Sequence, residues 1–217
     1  MDVAGSLVRC LYPQCSSALS GLCDRSPEES GTGGGVKNLL PGGTSSGRWF
    51  SGTEEEQAGR ETEVSAVDLR SLQSQYPDVR GWLTIPESGI DYPVLQSSPE
   101  EPEYYLRRDY RGNYDINGSL FLQADCILGE SGKLTIYGHN MNSGAMFGNL
   151  DQYASYEYWK AHPSVFFQTP EGMEEYQIAA VLKADVSMFD FQQISFQNQR
   201  EAEAYVEQAK ELALFET

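Results

Sequence analysis

From Val79 onward the chain is written in short alternating runs, each closed by Gly, Pro, Ser, Asn or Asp. A period of two is strand geometry, because successive side chains of an extended chain point to opposite faces. "DVRGWLTIP" puts Val79, Leu83 and Ile85 on one face, and "GIDYPVLQ" keeps Ile90, Tyr92 and Val94 in phase after a Pro/Ser/Gly turn. "SLFLQA" and "KLTIYGH" follow, joined by the turn "DCILGESG"; "SVFFQT" and "EEYQIAAVLKADV" lie on either side of "PEGM". Helical spacing is confined to short pieces. Leu69, Leu72 and Tyr76 line one helix, which Pro77 ends. Met146, Phe147, Leu150 and Tyr153 line a second, and "SYEYWKAH", stopped by Pro163, is a third. Asn198, with Glu201 three residues on, opens a fourth, lined by Ala202, Tyr205, Ala209 and Leu212. This pattern predicts an α+β domain, mainly β, whose sheet is closed or nearly so and carries short helices.

Ahead of these runs the composition changes. Residues 24–65 contain "GTGGG", "PGGTSSG" and "SGTEEEQ", and such a segment cannot bury enough apolar surface to offset its ordering entropy. Residues 1–65 therefore read as a disordered, low-complexity head and linker, and residues 66–217 as the folded domain. Cys10, Cys15 and Cys23 are spaced by four and then seven residues, which matches neither a zinc ribbon nor a redox C-x-x-C. They read as incidental thiols, and the sequence predicts no metal and no cofactor. With 32 acidic residues against 15 basic, the net charge of −17 repels phosphate backbones and excludes nucleic acid as a partner. No apolar run reaches the length of about 18 residues that a membrane helix needs. The N-terminus, "MDVAGSLVRCLYPQCSSALSGLC", has an early Asp and no basic region before an apolar block, so it does not read as a secretory leader.

Two stretches carry candidate chemistry. "NYDING", Asn113 to Gly118, has the ligand spacing of a calcium loop, but the twelfth position, where a bidentate Glu is needed, is Ala124. It reads as a polar turn. The other stretch is "GKLTIYGHNMNSGAMFGNL", which holds His139, one of two histidines in the chain. Alternation puts Leu134 and Ile136 on a core face and Thr135, Tyr137 and His139 on the other, toward a groove or solvent. An imidazole at such a strand end, with Gly138 leaving room beside it, is suited to moving protons near neutral pH. His162, before a helix-ending proline, reads as a helix-terminal residue.

"DVRGWLTIPESGIDYPVLQ", "YYLRRDY", "NGSLFLQAD", "LTIYGHNMNSGAMFGNLDQY" and "YQIAAVLKADV" together, from about Leu69 to the chain end, resemble a class B sortase in order and spacing. "IDYPV" followed by "YGHNM…MF" is the most specific part of the likeness. The resemblance implies a sortase-type closed β-barrel and a cysteine transpeptidase of Gram-positive bacterial surfaces. Such an enzyme cleaves a sorting signal at a Thr–X bond through a thioester. It then joins the protein to an amine of a cell-wall precursor or a pilin. The family histidine corresponds to His139, the acid that protonates the leaving amine. Tyr137 and Leu106, the latter ending "YYL", correspond to positions near the substrate groove.

The same resemblance sets an expectation that this sequence does not meet. The family's nucleophile ends a later strand in a T-L-x-T-C motif, with an arginine on the strand after it, and neither is present. Cys126 is a poor substitute. If "SLFLQA" and "KLTIYGH" form a hairpin, Cys126 sits by its turn while His139 lies roughly 20 Å along the strand. A thiolate–imidazole pair needs about 3–4 Å. The sequence therefore reads as a C-terminally truncated class B sortase, its last strands and membrane anchor missing, and inactive as it stands. The alternative reading is a non-catalytic, sortase-derived module that binds sorting peptides.

Overall fold

The computed structural model describes residues 7–9 and 64–217. The reading of residues 1–65 as head and linker, with Cys10, Cys15 and Cys23, falls almost wholly outside them. The exception is strand β1 (Leu7–Arg9), which pairs antiparallel with Leu134–Ile136. The domain then runs α1 (Leu69–Gln75), β2 (Val79–Ile85), β3 (Ile90–Leu95), β4 (Leu120–Leu122), β5 (Leu134–Tyr137), α2 (Tyr156–Ala161), β6 (Ser164–Thr169), β7 (Gly172–Gln177) and α3 (Gln199–Glu211). Two 3-10 turns, Tyr104–Arg107 and Gly148–Ala154, lie between strands.

The seven strands form one curled sheet, a half-barrel, in the order β1-β5-β4-β3-β2-β6-β7. All neighbours are antiparallel except β3 and β4, where Val94 and Leu95 lie beside Leu120 and Phe121 in parallel. A parallel pair cannot be closed by a tight turn. The chain between them makes a long excursion, and that excursion carries the first 3-10 turn.

Alternation sorts the strand residues into two cores. Leu83, Ile85, Ile90, Val94, Leu120, Leu122, Leu134, Ile136, Val165 and Phe167 form the larger one, covered by Phe147 and Tyr153. Leu95 and Phe121, on the other face, join Leu69, Val79 and Tyr105 in the second. Each such aliphatic side chain, fully buried, contributes about 1.5–3 kcal/mol. Val79 therefore does not share a face with Leu83 and Ile85 as its spacing predicts. The register of β2 against β3 slips between Val79 and Gly81, and a one-residue slip sends a side chain to the opposite face.

The predicted strand "EEYQIAAVLKADV" ends at Gln177. Residues 178–198 continue with no regular element beyond an isolated bridge from Leu182 to Ala213. This segment carries Phe189 and Phe191, which bury themselves with Tyr205 and Ala209 of α3 in a third cluster. Helix α3 starts as predicted. The Asn198 side chain accepts from Glu201 N at 3.1 Å, and the Glu201 carboxylate accepts from Gln197 N at 2.7 Å.

Candidate functional site

Strand β5 ends where glycine replaces a side chain. A Cβ on Gly138 would collide with Leu120 and with the Phe147 ring, so the backbone presses into the larger core only because this residue has none. The chain then folds back: His139 O accepts from Phe147 N at 2.9 Å, and Asn140 pairs with Met146. The Asn140 amide donates to Asp151 at 3.0 Å, tying the loop to the following 3-10 turn.

His139 is half-buried at this corner. Its Nε2 lies 2.7 Å from the backbone oxygen of Leu106. A carbonyl oxygen only accepts, so Nε2 carries the proton and donates it. Nδ1 has no hydrogen-bond partner among the described residues. Leu106 sits in the Tyr104–Arg107 turn, half-buried, and rests on the second core. Tyr137 rests on that same core, its ring 5.4 Å from that of Phe121. Its hydroxyl donates to Gln123 Oε1 at 3.0 Å, and burial pushes its pKa above the ordinary tyrosine value. It acts as a neutral phenol, a hydrogen-bonding group and not a base. The three predicted site residues, His139, Tyr137 and Leu106, thus lie around one end of β5.

The rest of their strand face is not the open groove that alternation predicts. Lys133 and Thr135 are 0 % exposed. The Lys133 ammonium donates to Phe191 O at 2.7 Å and to the Tyr205 hydroxyl at 2.8 Å, and Thr135 Oγ1 donates to Phe191 O at 3.3 Å. The irregular segment after β7 lies over this face. Any groove at His139 begins beyond Thr135.

Cys126 is buried at the opposite end of the strand, its thiol directed at Lys133 O at 3.7 Å. Desolvation pushes its pKa upward, which lowers its thiolate fraction at neutral pH. The structure does not bring it together with His139. His162 is the C-cap of α2, its Nδ1 3.8 Å from Glu87 and its ring tilted against that of Tyr158, 4.4 Å between centroids. In the Asn113–Gly118 stretch the Asp115 carboxylate accepts from Asn117 N at 2.8 Å. Asp109, just before it, accepts from Arg111 N and Asn113 N at 2.9 and 2.8 Å. Both carboxylates brace turns, and no group of three or more metal-ligating side chains occurs among the described residues.

The resemblance put Leu106 near the substrate groove and gave no sign that its carbonyl would meet His139. A backbone oxygen 33 residues away in sequence has no residue-type signature. Gln123, the partner of the Tyr137 hydroxyl, was likewise missed, although alternation along "SLFLQA" opposite "KLTIYGH" offered a signal for it.

The family model described as "Sortase domain" matches residues 83–214. Sortase B of Listeria monocytogenes is 32% identical over 149 residues, covering 68% of this chain and 59% of that protein. Sortase B of Staphylococcus aureus is 24% identical over 143 residues, covering 65% and 57%. The chain therefore spans a little under three fifths of the length of these curated relatives. Among solved structures, sortase B from Listeria monocytogenes matches with a TM-score of 0.60 at 30% identity, over 69% of this chain and 84% of that one. A Staphylococcus aureus sortase B–substrate complex matches with a TM-score of 0.62 at 22% identity, over 68% of each chain.

Proposed function

This chain belongs to the sortase family, in its class B branch, and on that premise we propose that it is the histidine-bearing part of a cysteine transpeptidase. Its substrate is the sorting-signal peptide of a surface protein, cleaved at a Thr–X bond, and its acceptor is an amine of a cell-wall precursor or a pilin. It works at the outer face of the bacterial membrane, as sortases do at the cell surface.

The observation that carries this reading is His139 itself. It is half-buried at a strand end, with one nitrogen held by a carbonyl and the other without a partner, beside Tyr137 and Leu106. In the proposed reaction a cysteine thiolate attacks the threonine carbonyl carbon, and a C–S bond forms as the C=O becomes an oxyanion. An arginine stabilises that oxyanion electrostatically. The C–N bond then breaks, and the leaving amine takes a proton from His139. The incoming amine attacks the thioester, returns a proton to His139 and releases the thiolate. Tyr137 and Leu106 line the peptide's path.

The thiol and the arginine are not supplied in the family's form by these 217 residues. They contain no T-L-x-T-C run, and Cys126 is buried at the wrong end of β5. The same burial favours a second reading, a module that binds sorting peptides without cutting them. Peptide titration followed by mass spectrometry separates the two. The 217-residue chain should bind a sorting-signal peptide and leave it intact. Joined to a class B T-L-x-T-C strand and its arginine strand, it should form a thioester at the added cysteine. His139→Ala should then lower turnover by about 10²–10⁴-fold, the usual contribution of a general acid. Unchanged turnover in that variant would sink the transpeptidase reading. Cleavage by the 217 residues alone that vanishes in Cys126→Ala would sink the geometry.

A further inference from the structure

The Leu106 carbonyl that receives the His139 proton is itself set in a frame. Leu106 N bonds to Glu103 O at 2.9 Å within the 3-10 turn. The carbonyls on either side of Leu106 are engaged by the Asn113–Ser119 loop. Ser119 N donates to Tyr105 O at 3.0 Å, Asp115 N to Arg107 O at 3.0 Å, and Ser119 Oγ to Arg108 O at 2.9 Å. Arg107 returns a bond from its guanidinium to Ile116 O at 2.8 Å. Of the four successive carbonyls from Tyr105 to Arg108, three point into the loop and the fourth, Leu106, meets the histidine.

Gly118 is what lets the loop come so close. Its φ is +62°, a left-handed conformation that glycine adopts without strain. A Cβ there would collide with Leu106 O and stand 2.8 Å from Tyr105 O and 2.9 Å from the Leu106 carbonyl carbon. Any other residue would have to push the turn, and with it the Leu106 oxygen, away from the loop.

We propose that Gly118 and the Asn113–Ser119 loop are positioning elements for His139. Through the Leu106 carbonyl they hold its neutral ring as the Nε2–H tautomer and reserve Nδ1 as the nitrogen that exchanges protons with reactants. The stretch whose spacing imitates a calcium loop thus acts on the proton-transfer group 21 residues beyond its glycine. The value of this device to catalysis rests on the transpeptidase reading; the tautomer does not, and it is measured without substrate.

The test is nitrogen NMR of the histidine-¹⁵N-labelled 217-residue protein at about pH 8, where an ordinary histidine is neutral. The chain has two histidines, so the spectrum resolves His139 against His162 as an internal reference. His139 should show a single Nε2–H tautomer. Gly118→Ala should move its two nitrogens toward the averaged shifts of mixed tautomers and leave His162 in place. A wild-type His139 protonated on Nδ1 would overturn the proposal, as would a folded Gly118→Ala protein that keeps the pure Nε2–H pattern. Should Gly118→Ala fail to fold, Arg107→Ala removes the exposed bond to Ile116 and should mix the tautomers to a smaller degree. No change in that variant counts against the proposal equally. Failure of the peptide-binding and turnover experiments, by contrast, would refute the transpeptidase reading and leave the tautomer result standing.

Discussion

The two ends of β5 are finished in opposite ways. At the Lys133 end every reactive group is covered: the ammonium sits on Phe191 O and the Tyr205 hydroxyl, and the Cys126 thiol is buried against Lys133 O. At the His139 end an imidazole is only half-buried, with one nitrogen held and the other without a partner among the described residues. The same strand thus carries polar groups that serve the fold and the one polar group to which we assign chemistry. Residue type does not separate them, since a lysine and a cysteine are as reactive in principle as a histidine. Cover separates them, and the cover comes from residues far along the chain.

Truncating each end should break or sharpen this contrast. Lys133→Ala removes a fully buried cation and leaves Phe191 O and the Tyr205 hydroxyl without its bonds. It should cost about 2–5 kcal/mol of stability in urea denaturation, from the packing lost and the acceptors left without its bonds. His139→Ala should change the same measurement by less than about 1 kcal/mol. Equal losses would dissolve the distinction between the two ends.

Next in size is the accessibility of Cys126. The thiolate is the reactive form, and burial raises the pKa of this thiol above its ordinary value. Alkylation in the native state should therefore lag that in denaturant at neutral pH, and should go on rising with pH above about 8.5, where the denatured thiol levels off. Peptide mapping after labelling distinguishes Cys126 from the head thiols. Labelling as fast in the native as in the denatured chain would place the thiol at the surface and remove the contrast.

The smallest effect compares two tyrosines. Tyr205→Phe deletes an acceptor for the Lys133 ammonium and a donor to Asp190 O, and should cost about 1.5–3 kcal/mol, in the range of a bond to a charged group. Tyr137→Phe deletes a neutral bond to Gln123 and should cost about 0.5–1.5 kcal/mol. Thermal unfolding of both variants orders them, and a reversal would mean the His139 end is the more rigidly built.

Much of this was legible from the sequence, where local rules suffice. The runs of β2, β3 and β6 appear where alternation puts them, and Asn198 caps α3 through its own side chain. What was not legible depends on distant partners. The slip between Val79 and Gly81 leaves the apolar spacing intact and moves Val79 to the second core. Thr135 reads as an outward residue until Phe191, 56 residues on, arrives to cover it. The apolar residues that continue past Gln177 look like strand, but they pack as loop, Ile178 and Val181 on the larger core and Leu182 and Ala184 on the cluster at α3. At the candidate site, His139 is visible as an unusual residue at a strand end, whereas the oxygen that orients it belongs to the backbone.

The pairing order of the sheet also fixes a schedule. β2 pairs with β3 across a tight turn, but its other edge waits for β6, where Leu83 meets Phe167. From Ile85 to Thr169 is 84 residues, so this edge of β2 closes only through contacts of large sequence separation, the kind that slows folding. Until it closes, the β2–β3 hairpin exposes a row of unpaired amides and carbonyls, with Leu83 and Ile85 uncovered. The most vulnerable moment of folding, for capture by a chaperone or by a neighbouring chain, falls before β6 docks on β2.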